Sequence, residues 1–144
     1  VIALSFYRPF LFFRLLFAVE VNFMGTALII EDSLTEREII SHYLKQAGVM
    51  VSIATSGEEA LAKLSDSLPD IIVLDVVLPG RSGFEICREL KTEAKTSKIP
   101  IIMCSTKSTD MDKFWGMRQG ADAYIPKPID REAFLRAVKQ LINE

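Results

Sequence analysis

From Met24 onward, short apolar runs alternate with longer stretches whose apolar residues recur at helical spacing, and few folds tolerate that alternation. Runs rich in Ile and Val suit strands buried on both faces, and such strands separated by helices form parallel sheets through right-handed crossovers. Five runs qualify: Thr26 to Ile30, Met50 to Ala54, Ile71 to Leu74, Ile101 to Cys104 and Ala123 to Ile125. The pattern predicts an α/β domain built on a doubly wound parallel sheet, with one helix after each strand. A chain of 144 residues, 49% of them apolar, has material for one core and not for two.

Helix boundaries are marked by side chains that satisfy orphan backbone groups. Ser33 with Glu36, Ser56 with Glu59 and Ser82 with Glu85 fit a capping box, in which hydroxyl and carboxylate bond the first-turn amides reciprocally. Asp110 or Thr109 opens the fourth helix, Gly120 closes it, and Asp130 caps the fifth. The first helix carries Ile40, Tyr43, Leu44 and Ala47 at core spacing and ends at Gly48, while Phe134, Val138 and Leu141 turn the fifth toward the sheet.

The stretch from Val1 to Phe23, VIALSFYRPFLFFRLLFAVEVNF, is more apolar and aromatic than the rest of the chain. Arg8 and Arg14 interrupt it, at about 2.5 to 3.5 kcal/mol each in a bilayer centre, and Pro9 breaks its helix. It lacks the basic start and cleavage site of a secretory signal. These features argue against a membrane span and predict an upstream or misassigned start, an extension outside a domain that covers residues 24–144 and begins at Met24, with a weak membrane anchor and a packed extra helix as the alternatives. The fifth helix runs to Glu144, so the expectation is a domain without an effector partner in the chain, its output carried by its own surface.

Composition excludes several chemistries. A net charge of −2 with both signs dispersed lacks the basic footprint of a nucleic-acid binder. Cys87 and Cys104 form neither a CxxC nor a metal-ligand spacing and read as core residues of a reducing, cytoplasmic compartment. His42 is the only histidine and reads as a solvent-facing helix residue.

Open α/β sheets bind ligands beyond the carboxyl ends of their strands. Here strand one ends in Glu31 and Asp32, strand three in Asp75 and strand four in Ser105, and strand five leads into Lys127 and Pro128. Three crowded carboxylates repel one another unless a cation lies among them, and Mg²⁺, with its preference for oxygen ligands and retained waters, suits such a partial shell; Mn²⁺ is the alternative ion. Lys127 can neutralise phosphate oxygens, Ser105 can donate to them, and Asp75 is the carboxylate best placed to act as nucleophile.

These residues, in this order, resemble the CheY-like receiver of bacterial response regulators, over the whole stretch from Met24 onward. The resemblance implies a flavodoxin-like fold with strand order 2-1-3-4-5. It implies that Glu31, Asp32 and Asp75 hold the metal with the Val77 carbonyl, and that Asp75 is phosphorylated by a histidine kinase or phosphotransfer domain. Ser105 and Tyr124 would be the switch pair and Lys127 the phosphate-binding lysine, aimed by a cis peptide before Pro128. Such a protein is a phosphoacceptor rather than an enzyme acting on other substrates, and catalyses only its own phosphotransfer and dephosphorylation. Its target would dock on the face formed by the fourth helix, fifth strand and fifth helix, and phosphate could promote a homodimer. The stretch TKSTDMDKFWGMRQGADAYIPKP is further similar to stand-alone receivers of chemotaxis-like systems that control type IV pilus twitching and phototaxis.

Departures from the usual receiver pattern bear on kinetics. Glu31 stands where Asp is frequent, and the apolar Val77 should orient attacking water poorly, which predicts slow self-dephosphorylation. A dehalogenase-type phosphatase would need an acid at Val77, and a nucleotide-binding domain would need a glycine motif after the first strand; neither is present. A phosphate-independent interaction module of the same fold is the remaining alternative.

Overall fold

A computed structural model describes residues 23–144; the expectations for the apolar segment before them lie outside the described residues. Strands and helices alternate as β1 (Gly25–Ile30), α1 (Leu34–Gln46), β2 (Val49–Ala54), α2 (Gly57–Asp66), β3 (Ile71–Leu74), α3 (Gly83–Thr92), β4 (Ile101–Ser105), α4 (Asp110–Arg118), β5 (Ala123–Pro126) and α5 (Arg131–Ile142). All strand pairs are parallel and the order is β2-β1-β3-β4-β5, the doubly wound arrangement the sequence predicts. Each expected strand is present, extended by a residue at one end in four of the five cases. Among the described residues no helix is long and apolar enough to cross a membrane.

Because successive strand residues point to opposite faces, each central strand feeds two cores. Leu28, Ile30, Ile72, Leu74, Ile101 and Met103 pack with Ala60 and Leu64 of α2 and with Ile86 and Leu90 of α3. Ala27, Ile29, Ile71, Val73, Ile102 and Cys104 pack on the other side with Ile40 and Leu44 of α1 and with Phe134 and Val138 of α5. Burial on both faces holds for β1, β3 and β4 but not for the edge strands, β2, where Met50 and Ser52 are exposed, and β5, where only Ile125 is buried. Both cysteines are buried free thiols, their pKa values raised by desolvation, and His42 is exposed.

The caps are half as predicted. Ser33, Ser56 and Ser82 each accept from the amide three residues on, but the reciprocal carboxylate bond is absent at all three: Glu59 binds the amide and hydroxyl of Thr55 instead, and Glu85 pairs with Arg81. Thr109, not Asp110, is the cap of α4, and with Asp112 it makes the one complete box. Asp130 accepts from the Ala133 amide at 3.0 Å. Gly48 and Gly120 take positive φ beyond α1 and α4, where a Cβ would be strained.

α4 stands apart from the other helices. Its only buried residue is Gly116, and a Cβ there would lie 2.7 Å from the Tyr124 ring. The helix thus rests on β5 through a glycine seat rather than through apolar side chains.

Candidate functional site

The carboxyl ends of β1, β3, β4 and β5 define one crevice, and register fixes what each contributes. Ile30 pairs with Leu74 across β1 and β3, so Glu31 and Asp75 leave the sheet side by side. The Asp75 amide donates to the Ile30 carbonyl at 3.0 Å and the Glu31 amide to the Ala54 carbonyl at 3.0 Å. The guanidinium of Arg37 on α1 donates to the Asp32 carbonyl at 2.9 Å and to that of Glu31 at 3.3 Å, which anchors the acidic turn. Ligand oxygens of Glu31, Asp32 and Asp75 all lie within 4.8 Å of one another.

Lys127 enters from the end of β5. Its amide donates to the Ser105 carbonyl at 3.0 Å, the Lys127–Pro128 peptide is cis, and Nζ lies 2.5 Å from Glu31 Oε1 and 3.4 Å from Asp75 Oδ2. The side chains of Lys127, Glu31 and Asp75 are 6%, 2% and 10% exposed, so this cluster is shielded from water and its electrostatics are strong. Burial, with the neighbouring Asp75 carboxylate, pushes the Glu31 pKa up to about 7, and Lys127 only partly offsets this. The Lys127 pKa is raised: burial opposes its charge, but the bond to Glu31 and the field of both carboxylates outweigh that.

Glu31 Oε2 is buried with no hydrogen-bond partner. A buried carboxylate oxygen left unpaired is costly, and this one belongs to an all-oxygen set of three carboxylates. That donor chemistry fits a hard divalent cation, with Asp32, exposed at the rim, completing the acidic side.

The loop between β3 and α3 is held by a close approach. Gly80 has positive φ and open space around it, as a turn residue would, whereas a Cβ on Gly83 would lie 2.0 Å from the Asp75 carbonyl oxygen. The two glycines that look alike in sequence therefore do different things, and Gly83 is what lets the start of α3 lie against the Asp75 backbone. Val77 is exposed, and its amide donates to Asp75 Oδ1 at 3.4 Å.

Ser105 is fully buried at the end of β4 and accepts from the Lys107 amide at 3.1 Å. Tyr124 lies half-buried, its hydroxyl donating to the Lys107 carbonyl and its pKa raised, mainly by burial, with Ser105 acting the other way. Glu31, Asp32, Asp75 and Lys127 are thus brought together directly. Ser105 and Tyr124 flank them, tied to the loop after β4. No sequence signal marks the tie at Lys107 or the role of Gly83; only main-chain geometry reveals them.

The Response regulator receiver domain family matches residues 27–139. The chain is 38% identical over 119 residues to Protein PilH of Pseudomonas aeruginosa, covering 83% of this chain and 98% of that protein. Among solved structures it is similar to a response regulator from Chloroflexus aurantiacus, with TM-score 0.81 and 33% identity over 83% of this chain and 98% of the other. It is also similar to the chemotaxis response regulator CheY4 of Vibrio cholerae, with TM-score 0.76 and 32% identity over 82% of this chain and 98% of the other.

Proposed function

Since this chain belongs to the response regulator receiver domain family, we propose that Asp75 accepts a phosphoryl group from the phosphohistidine of a kinase or phosphotransfer domain. An Asp75 carboxylate oxygen attacks phosphorus as the P–N bond breaks, and the imidazole nitrogen leaves with the electron pair. A Mg²⁺ ion held by Glu31, Asp32, Asp75 and the Val77 carbonyl, or Mn²⁺ in its place, would supply positive charge against the carboxylates and the phosphoryl oxygens. Lys127 Nζ, already between Glu31 and Asp75, is within reach of a phosphoryl oxygen on Asp75 and positions it through a charge-assisted bond. Ser105 donates to another phosphoryl oxygen after leaving the Lys107 amide, and Tyr124 follows, altering the α4-β5-α5 face on which a target protein, or a second copy, would dock. Phosphate shifts a population because only one arrangement of that face accommodates its charge.

The observation that carries this reading is the cluster of three carboxylates, Glu31 and Asp75 buried and Asp32 at the exposed rim, with one lysine and an unpaired Glu31 Oε2, a donor set that a divalent cation would satisfy. The likeness to PilH supports a cytoplasmic role in a chemotaxis-like system governing type IV pilus motility. Intact mass after incubation with acetyl phosphate and Mg²⁺ tests the chemistry: one phosphoryl adduct is expected, lost in Asp75→Asn and in metal-free buffer. An adduct that persists in Asp75→Asn would move the acceptor elsewhere. No adduct under any condition, candidate kinases included, would leave a phosphate-independent interaction module.

A further inference from the structure

The exposed side of α4 is not an ordinary solvent face. Met111 is 72% exposed, Phe114 61%, Trp115 49% and Met117 47%, so a nine-residue helix puts four large apolar side chains into water. Trp115 and Gln119, at i, i+4 spacing, share one flank. With Arg118 they face α3 across a cavity of about 410 Å³ whose other side is lined by Arg88, Lys91 and Thr92.

The charge of this groove opposes that of the molecule. Lys91 pairs with Asp122 at 2.9 Å, while Arg88 and Arg118 have no ion-pair partner among the described residues. The acids of α3 do not help, since Glu85 and Glu89 are both engaged by Arg81. Two unpaired guanidiniums therefore flank a half-exposed indole on a chain whose net charge is −2.

We propose that the α3–α4 groove is a docking site for an acidic segment of a partner protein that carries an apolar or aromatic anchor. Guanidinium forks bind carboxylates in bidentate fashion, and tryptophan and arginine are both enriched at the energetic centres of protein interfaces. A nucleic acid fits less well, because a net-negative chain with this few groove cations gains little from counterion release. The groove is lined from α3 and α4, with no residue of β5 or α5, and docking there does not depend on phosphate at Asp75.

Trp115 is the chain's one tryptophan and reports on the groove directly. Short random peptides displayed on phage should be selected against the immobilised chain, and the enriched sequences resynthesised without tryptophan. The expected result is enrichment of Asp and Glu around an aromatic or leucine, and a blue shift of Trp115 emission on binding. Affinity should fall roughly tenfold or more in R88E/R118E, the scale of an interface hot spot. Selection repeated on R88E/R118E should return basic peptides instead. Phosphoryl uptake at Asp75 should be unchanged in that variant, which establishes that it folds and separates this site from the phosphoacceptor. The proposal is overturned if no acidic peptides are enriched, if those found bind R88E/R118E equally well, or if oligothymidine rather than peptide moves the Trp115 emission.

Discussion

Replacing Gly83 by alanine should damage both stability and phosphoryl chemistry, for one geometric reason. The added methyl would lie 2.0 Å from the Asp75 carbonyl oxygen and 2.8 Å from Val76 Cα, against the roughly 3.5 Å at which carbon contacts are comfortable. Both obstacles are backbone, so the start of α3 and the end of β3 must separate by about 1 Å or more. Overpacking of this kind costs about 1–3 kcal/mol, the upper end applying where no side chain can yield, and better helix propensity returns less than about 1 kcal/mol. At about 4 °C per kcal/mol for a domain of this size, the melting temperature should drop by roughly 5–10 °C. A displacement of about 1 Å at the nucleophile also predicts a phosphorylation rate reduced on the order of 100-fold. Gly57→Ala is the control: its Cβ would lie 2.5 Å from Ile86 Cδ1, the tip of a flexible side chain, and should cost less stability and little rate. Thermal denaturation and the rate of phosphoryl uptake from acetyl phosphate measure both effects. If Gly83→Ala melts and reacts like the parent, the close approach at Asp75 is not what the glycine is for.

Three further perturbations address the site and the core. Folded Glu31 keeps its proton up to about pH 7 while an ordinary glutamate releases it near 4.5, so the folded state binds more protons in that window. Metal-free stability should therefore be highest below pH 4.5 as far as this group is concerned and fall by up to about 3 kcal/mol through pH 7. Urea midpoints should show the fall, Glu31→Gln should flatten it, and Mg²⁺ should restore stability at high pH; equal slopes in parent and variant would refute the assignment. Phe134 is fully buried between α5 and the sheet, and Phe134→Ala should cost about 3–5 kcal/mol, read from urea denaturation. Val77→Asn, at an exposed position beside Asp75, should shorten the acyl-phosphate lifetime by helping to orient water, and an unchanged rate of phosphoryl loss would remove Val77 from the account.

Most of this architecture is legible in the sequence because it rests on local signals. The Ile- and Val-rich runs mark strands through period and burial, and the serines at 33, 56 and 82 mark helix starts through amide geometry fixed within four residues. The strand-end acids and Lys127 are legible because a parallel sheet must bring the ends of its strands to one side. What stays hidden is whatever depends on spacing between elements. The carboxylates of Glu59 and Glu85 have long side chains with rival partners in Thr55 and Arg81, so a capping pattern does not decide where they bond. Gly80 and Gly83 are indistinguishable until φ and the distance to Asp75 are known. α4 gives no clear core stripe because its contact with β5 is made by a glycine, and no apolar periodicity records that.

Lys107 is gripped at both ends by the proposed switch pair, its amide on Ser105 and its carbonyl on the Tyr124 hydroxyl. Any movement of Ser105 toward Asp75 must break the first bond, and that frees the loop holding the second. A protein with one side chain moved and the other still in place forfeits a bond worth about 1 kcal/mol without completing the new arrangement, which disfavours half-switched forms by about fivefold. The two proposed switch residues are thereby coupled through the main chain of a single residue. Because both bonds use the main chain, any residue at 107 other than proline can make them.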